Sequence, residues 1–229
     1  MLNLFFNKKR DYDLEDVEMF SLNKGLNNVE FFESGLIDYE RFISPYVKIL
    51  PNCKILDFGC GNGRLARNFV SENYLGVDIN QKLLVEAKEK NPEYRFETIN
   101  FLEEDQKMKF ELIFALASLI HLERFSQLDQ TLHLMGLLMT DDSTLLLSFR
   151  TKPDRVRGRN LYWCTLFDAY YLSIVRRKFL IFPFLGKFDS FFGICVSPKK
   201  LSYYAKKNRM KITKYYYLDK YLWFILKKE

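Results

Sequence analysis

Between Ile55 and Arg64 the chain runs Ile55, Leu56, Asp57, Phe58, Gly59, Cys60, Gly61, Asn62, Gly63, Arg64, an apolar stretch that ends in an acid and enters a turn with glycine at alternate positions. Such glycines let the backbone take positive φ and come close to a ligand. The spacing also predicts a helix over 63–72, whose first N–H groups would stand free beside that ligand. A dinucleotide loop needs G-x-G-x-x-G, whereas here the third glycine comes one residue early and Arg64 stands where that pattern takes Gly or Ala. Asp57, two residues before the first glycine, places a carboxylate on the pocket floor. A carboxylate there suits an ammonium group and repels a pyrophosphate. A glycine turn that serves packing alone is the plain alternative.

A second acid follows about twenty residues later, where a ribose-binding carboxylate belongs at the end of the next strand. It is Asp78, closing the run Tyr74, Leu75, Gly76, Val77 and followed by Ile79 and Asn80. One carboxylate can accept both ribose hydroxyls. The competing role is a helix N-cap, for which Asn80 before Gln81 and Lys82 is equally placed.

These residues need elements to hold them. Apolar runs predict strands over 54–58, 74–78, 94–99, 110–115 and 144–149, and amphipathic stretches predict helices over 63–72, 81–91 and 125–139. The alternation is that of a doubly wound α/β sheet, whose ligands lie beyond the carboxyl ends of the strands. Both acids fall at such ends. Residues 29–47 read as helical up to an interruption at Ser44 and Pro45, and the aromatic runs 210–217 and 221–226, separated by Asp219 and Lys220, read as a hairpin.

With this motif and order of elements, the chain resembles the class I S-adenosylmethionine-dependent methyltransferases, over roughly residues 50–150 and 198–229. The resemblance implies a seven-stranded sheet, mostly parallel with an antiparallel last strand and helices on both faces. It implies S-adenosylmethionine as cofactor, with Asp57 near the methionine ammonium and Gly59, Cys60, Gly61 and Gly63 around the methionine part. Asp78 then takes the ribose and Ile79 lies against the adenine. Asn100 stands where the family commonly has an Asp bonded to the adenine amino group, and its amide oxygen can accept the same bond. Phe101 supplies the adjacent N–H. The stretch from Ala115 to His121 corresponds to the family's apolar segment ending near the methyl group. Enzymes that methylate exocyclic base amines carry Asn or Asp, Pro, Pro and an aromatic after the fourth strand, and residues 115–118 have none of these. Asn91 and Pro92 precede the third strand and read as a helix stop. Metal-assisted transfer is unsupported, because no set of acids at strand ends stands out beyond those given to the cofactor. A comparable segment of the resembling enzymes folds over the methionine carboxylate, a role that falls here on Phe31, Phe32, Glu33, Ser34 and Gly35. Arg64 would pair with the same carboxylate or point to solvent.

The 229 residues, 48% hydrophobic and 17% aromatic, suit one globular domain with a sizeable core. Its parts read as a helical cap over 1–50, an α/β cofactor core over 51–150, a helical and aromatic insertion over 151–197, and a final helix with hairpin over 198–229. Four cysteines, Cys53, Cys60, Cys164 and Cys195, show no metal-ligand or disulfide spacing and fit a reducing compartment. Charges at Lys8, Lys9 and Arg10 follow a very short apolar run, the wrong order for a secretory signal. No apolar stretch reaches the roughly 18 to 20 residues of a membrane span. The expectation is a soluble, cytoplasmic protein, with peripheral membrane contact left open.

The net charge of +6 is unevenly spread. Arg150, Arg155, Arg157 and Arg159 crowd the start of the insertion, and Lys199, Lys200, Lys206 and Lys207 form a second cluster. Either an anionic partner or an ordinary solvated surface accounts for this. Residues 151–193 form a lid over an acceptor bound by those four arginines, a contact with an anionic membrane, or an inert cap. Transfer to a hydroxyl requires a base, and His121, near the carboxyl ends of the strands, is the candidate. Packing or capping is its competing role, while His133 lies inside a predicted helix. The leading expectation is O-methylation of an anionic small molecule or glycan precursor. Methylation of a lipid-linked acceptor, of RNA, or cofactor binding without catalysis are the other readings, nucleic acid being disfavoured for want of a recognised RNA-binding module.

Overall fold

The computed structural model describes residues 28–47, 53–104, 107–119, 122, 124–150, 196–218 and 221–229. Helix α1 (Asn28–Asp38) runs into a π-helical turn (Tyr39–Ile43) and the short α2 (Ser44–Val47). Then come β1 (Ile55–Phe58), β2 (Tyr74–Asp78), α3 (Gln81–Lys90), β3 (Arg95–Thr98), α4 (Phe101–Glu104), β4 (Phe110–Ala115), α5 (Phe125–Leu138) and β5 (Met139–Arg150). Helix α6 (Pro198–Lys207) leads to the terminal strands β6 (Met210–Leu218) and β7 (Tyr221–Lys228). One seven-stranded sheet results, in the order β3-β2-β1-β4-β5-β7-β6. Strands β1 to β5 are parallel, and β7 enters antiparallel between β5 and β6.

Side-chain alternation divides the core. One face of the sheet carries Leu56, Phe58, Leu75 and Val77 against α5 and α6, through Leu128, Leu132, Met135, Leu201 and Ala205. The opposite face carries Ile55, Tyr74, Phe96 and Phe114 against Phe42 and Ile43 of the π turn and Leu84 and Ala87 of α3. Helices thus cover both faces, and strands buried on both sides read as continuous apolar runs. The Ser44-Pro45 pair, expected to interrupt the first helix, lies where the π turn passes into α2, and the backbone keeps helical dihedrals through Ser44.

The helix expected over 63–72 does not form. Two 3₁₀ turns, Ala66–Asn68 and Ser71–Asn73, take its place. Tertiary contacts outweigh local propensity here. Phe69 is extended, at φ −124° and ψ 164°, which buries its ring against Tyr74 and Phe114. The Asn68 amide donates to the Leu65 carbonyl at 3.0 Å, and the Tyr94 hydroxyl to the Phe69 carbonyl at 3.0 Å. Arg67 reaches Asn91 and the Lys90 carbonyl, and its guanidinium lies over Phe32, 3.7 Å from the ring centroid. The segment is drawn in at several points that a regular helix could not satisfy together.

The π turn is anchored on the far strand. Phe42 stacks on Trp223 of β7 with centroids 3.9 Å apart and planes 14° from parallel. Phe42→Ala should lower unfolding stability by about 3–5 kcal/mol in urea titrations. Trp223→Phe keeps an aromatic ring in the stack and removes a buried indole N–H that has no hydrogen-bond partner among the described residues, so it should cost less than about 1.5 kcal/mol. Equal losses in the two variants would mean that the stack does not anchor the turn.

Candidate active site

At the carboxyl end of β1 the backbone folds back onto β2. The N–H groups of Gly59 and Cys60 both donate to the Val77 carbonyl, at 2.7 and 3.0 Å. The Gly61 N–H continues to one oxygen of Asp78 at 2.9 Å, and the Asn80 N–H takes the other at 2.9 Å. Gly59, Gly61 and Gly63 have φ of 83°, 56° and 77°, the left-handed region that excludes most side chains. Their surroundings differ. A Cβ on Gly59 would stand 2.2 Å from that of Ser118, and one on Gly63 would meet Asn91 and Phe96 at 2.9 Å. A Cβ on Gly61 would meet nothing within 4 Å. Gly61 therefore borders open space beside two carboxylates, while its neighbours are glycine for close packing.

Asp57 lies in the same row, paired with Gly76 on one side and Phe114 on the other. Its carboxylate is 2% exposed and accepts the Tyr74 hydroxyl at 2.8 Å. Burial pushes its pKa up from 3.8 to about 7, against the opposing pulls of the Tyr74 bond and the Arg64 charge. Burial likewise raises Asp78, although its backbone N–H partners hold it down. The Cys60 thiol is raised well above its usual range by burial and both acids, so it stays protonated beside Gly61. Two acids held this way in a dry wall are suited to a cation, which would restore the charge that burial disfavours.

The expected residues occupy several settings. Asn80 caps α3 by accepting from Lys82 and Leu83, so capping does not fall to Asp78. Ile79 is 45% exposed next to that acid. Asn100 and Phe101 follow β3 at the adjoining strand end, where the Ile99 N–H donates to the Asp78 carbonyl at 3.1 Å, and Arg95 lies over the Phe101 ring. Ala115 ends β4 fully buried among the core residues. Arg150 is the last residue of β5, at the carboxyl end of that strand. His121, Arg155, Arg157 and Arg159 lie outside the described residues, as do Cys164 and Cys195 and residues 151–193. His133 is exposed on α5.

Arg64 neither points to solvent nor stands free for a ligand. Its guanidinium donates to the Ser34 carbonyl at 3.1 Å and pairs with the Asp38 carboxylate, both on α1. Gly35 permits this approach, since a Cβ there would lie 2.1 Å from the Arg64 carbonyl oxygen. Sequence reasoning also missed Tyr74, Ser118, Ser148 and Asn91 as site-building residues. The buried Asn91 amide donates to the Gly63 carbonyl at 3.2 Å and so holds the loop exit. Asn91 had the signature of a helix stop, and nothing local distinguished that from a loop anchor. Among the described residues there is no group of three or more His, Cys, Asp or Glu able to hold a metal, and no helix long and apolar enough to cross a membrane.

Residues 56–145, from β1 into β5, match the family described as "Methyltransferase domain". No curated protein matches the chain. Among solved structures it is similar to an S-adenosylmethionine-dependent methyltransferase from Clostridium acetobutylicum ATCC 824, at 14% identity over 90% of this chain and 94% of that one, TM-score 0.58. It is also similar to the magnesium protoporphyrin IX methyltransferase of Synechocystis PCC 6803, solved with bound SAM, at 16% identity over 95% and 93% of the two chains, TM-score 0.59. A mitomycin 7-O-methyltransferase aligns at 15% identity over 95% of this chain and 58% of that one, TM-score 0.60. At such identities the structural likeness is one of fold.

The Asp57 shift has a measurable consequence. In the ligand-free protein the folded state holds this proton up to a pH of about 7, whereas the unfolded chain releases it near 3.8. The group's contribution to stability is therefore full below that lower value and declines as pH rises through about 7, by roughly 4 kcal/mol at most. Denaturant titrations from about pH 4 to about pH 8 should show this decline in the wild type and a flatter profile in Asp57→Asn. Parallel profiles would mean that the carboxylate is ionised throughout.

Proposed function

We propose that this chain is a class I S-adenosylmethionine-dependent methyltransferase, a reading its matched domain and fold support, and that it methylates an oxygen of an anionic small molecule or glycan precursor. The observation that carries the acceptor reading is that β5, parallel to β4 and β1, ends at Arg150, after which the arginine-rich stretch follows in the sequence. Arg150, Arg155, Arg157 and Arg159 would meet the acceptor's negative group there.

The residues present fit the cofactor. Asp57 offers a buried carboxylate to the methionine ammonium, and Gly61 offers open space against the backbone. Asp78 keeps acceptor capacity for ribose hydroxyls after taking two backbone N–H groups. Ile79, Asn100 and Phe101 would surround the adenine, with Cys60 and Ala115 behind the loop. Bound S-adenosylmethionine supplies a methyl group already activated on a positively charged sulfur. The protein's remaining task is to hold an acceptor oxygen in line and remove its proton. We assign that proton to His121, which follows the turn after β4.

A lipid-linked or membrane-associated acceptor is the second reading. It is favoured by the exposed Tyr203, Tyr215 and Tyr217, interspersed with the exposed Lys199, Lys200, Lys206, Lys211 and Lys214 on α6 and β6. Cosedimentation with anionic liposomes separates the two.

Tritiated-methyl transfer into fractionated metabolites, glycans, lipids and RNA of the native cell should label an acidic, hydroxyl-bearing fraction, and His121→Ala should lower that transfer by about 100-fold or more. Label confined to RNA or lipid would overturn the acceptor class, and full turnover in the variant would remove the base. Binding can be tested without an acceptor. Gly61→Ala should leave a folded protein that binds S-adenosylhomocysteine more than about tenfold more weakly by calorimetry, because its Cβ would project into ligand space. Unchanged affinity would place the cofactor elsewhere.

A further inference from the structure

The turn after β4 is held in a disfavoured conformation by two serine hydroxyls that have no part in the chemistry above. Ala117 has φ 55°, a left-handed value that residues with a Cβ avoid. Its N–H donates to the Ser148 hydroxyl of β5 at 2.8 Å. The next residue reaches the other way, with the Ser118 hydroxyl donating to the carbonyl of Phe58, the last residue of β1, at 2.8 Å. Ser148 is 1% exposed, and Ser118 fits only because Gly59 lacks a Cβ. Two side chains thus tie together the carboxyl ends of β1, β4 and β5.

Backbone held against its preference marks a place where the surroundings over-determine the geometry. Here those surroundings are the glycine loop on one side and the wall formed by β5 on the other. Phe58 leads directly into Gly59, so any shift of the loop moves the carbonyl that Ser118 grips. Ala117 is the next link, and its only described hydrogen-bond partner through N–H lies on β5.

We propose that Ser118 and Ser148 are positioning residues, which hold the turn 116–119 between the glycine loop and β5 so that occupancy of the loop sets the order of the turn. The proposal rests on the methyl donor occupying the glycine loop. It assigns these serines no contact with the reacting atoms. Their effect passes through Ala117, whose left-handed turn fixes the direction of the backbone from Ala117 into Ser118.

The test needs no acceptor. Amide hydrogen exchange over residues 116–119 is followed with and without S-adenosylhomocysteine, alongside calorimetric binding. In the wild type the ligand should slow exchange in this turn by about tenfold or more. In Ser118→Ala, which cuts the link to β1, ligand should still bind while its protection of the turn falls below about twofold. Ser148→Ala should likewise abolish the protection, and adding Ala117→Gly in that background should restore it at Ser118 and Leu119, because glycine takes the left-handed conformation unaided. Equal protection in wild type and Ser118→Ala would overturn the proposal, as would failure of the glycine to restore it. Wild-type protein that binds no S-adenosylhomocysteine would instead overturn the cofactor reading beneath it.

Discussion

The fold-back of the glycine loop onto β2 is the constraint from which the site follows. A parallel strand that stops at its carboxyl end leaves a carbonyl facing the ligand side, and the Val77 carbonyl is used twice, by Gly59 and Cys60. That double acceptance turns the chain sharply enough for Gly61 to reach the Asp78 carboxylate. Asp57 is then enclosed beneath the loop, its carboxylate accepting the Tyr74 hydroxyl. A relaxed loop would let water reach both acids, and their raised proton affinities would disappear with the burial that causes them.

Around this point the chain invests aromatic contact where regular helix is missing. Phe69 lies between Tyr39, Tyr74 and Phe114, and Tyr74 meets Tyr94 and Phe96 edge-on. Such pairs add modest energy beyond their buried area, but they fix ring planes and so fix the Tyr74 hydroxyl. The same layer connects to the tail of the chain through Phe42 and Trp223. The cap formed by α1 and the π turn is held to the loop by polar contacts at Arg64 and to the sheet by stacking. These two attachments involve residues far apart in the sequence.

Much of this was legible in advance, and the part that was not shares one physical reason. Strands β2 and β4 lie where apolar runs placed them, and α3 and α5 end within a residue of expectation, because buried parallel strands and amphipathic helices write their period into the chain. The acids at the ends of β1 and β2 were legible from spacing. The segment after Gly63 was misread because its composition permits a helix, while Arg64, Arg67 and Phe69 are each committed to partners elsewhere. Tyr74, Asn91, Ser118 and Ser148 escaped notice for the same reason. Their partners are 17 to 60 residues away, and no local pattern records such a pairing.

The two 3₁₀ turns that replace a helix after Gly63 also set the electrostatic character of the pocket. A full helix beginning at the loop would aim a macrodipole of about half a positive charge at the ligand, the device that phosphate-binding sites rely on. Turns of three residues assemble no such dipole. What remains at the loop is the field of Asp57 and Asp78, opposed in part by the Arg64 charge, which is itself paired with Asp38. Where either acid is ionised, that field disfavours a phosphate chain and favours a ligand that joins an adenosine to a cationic, phosphate-free arm.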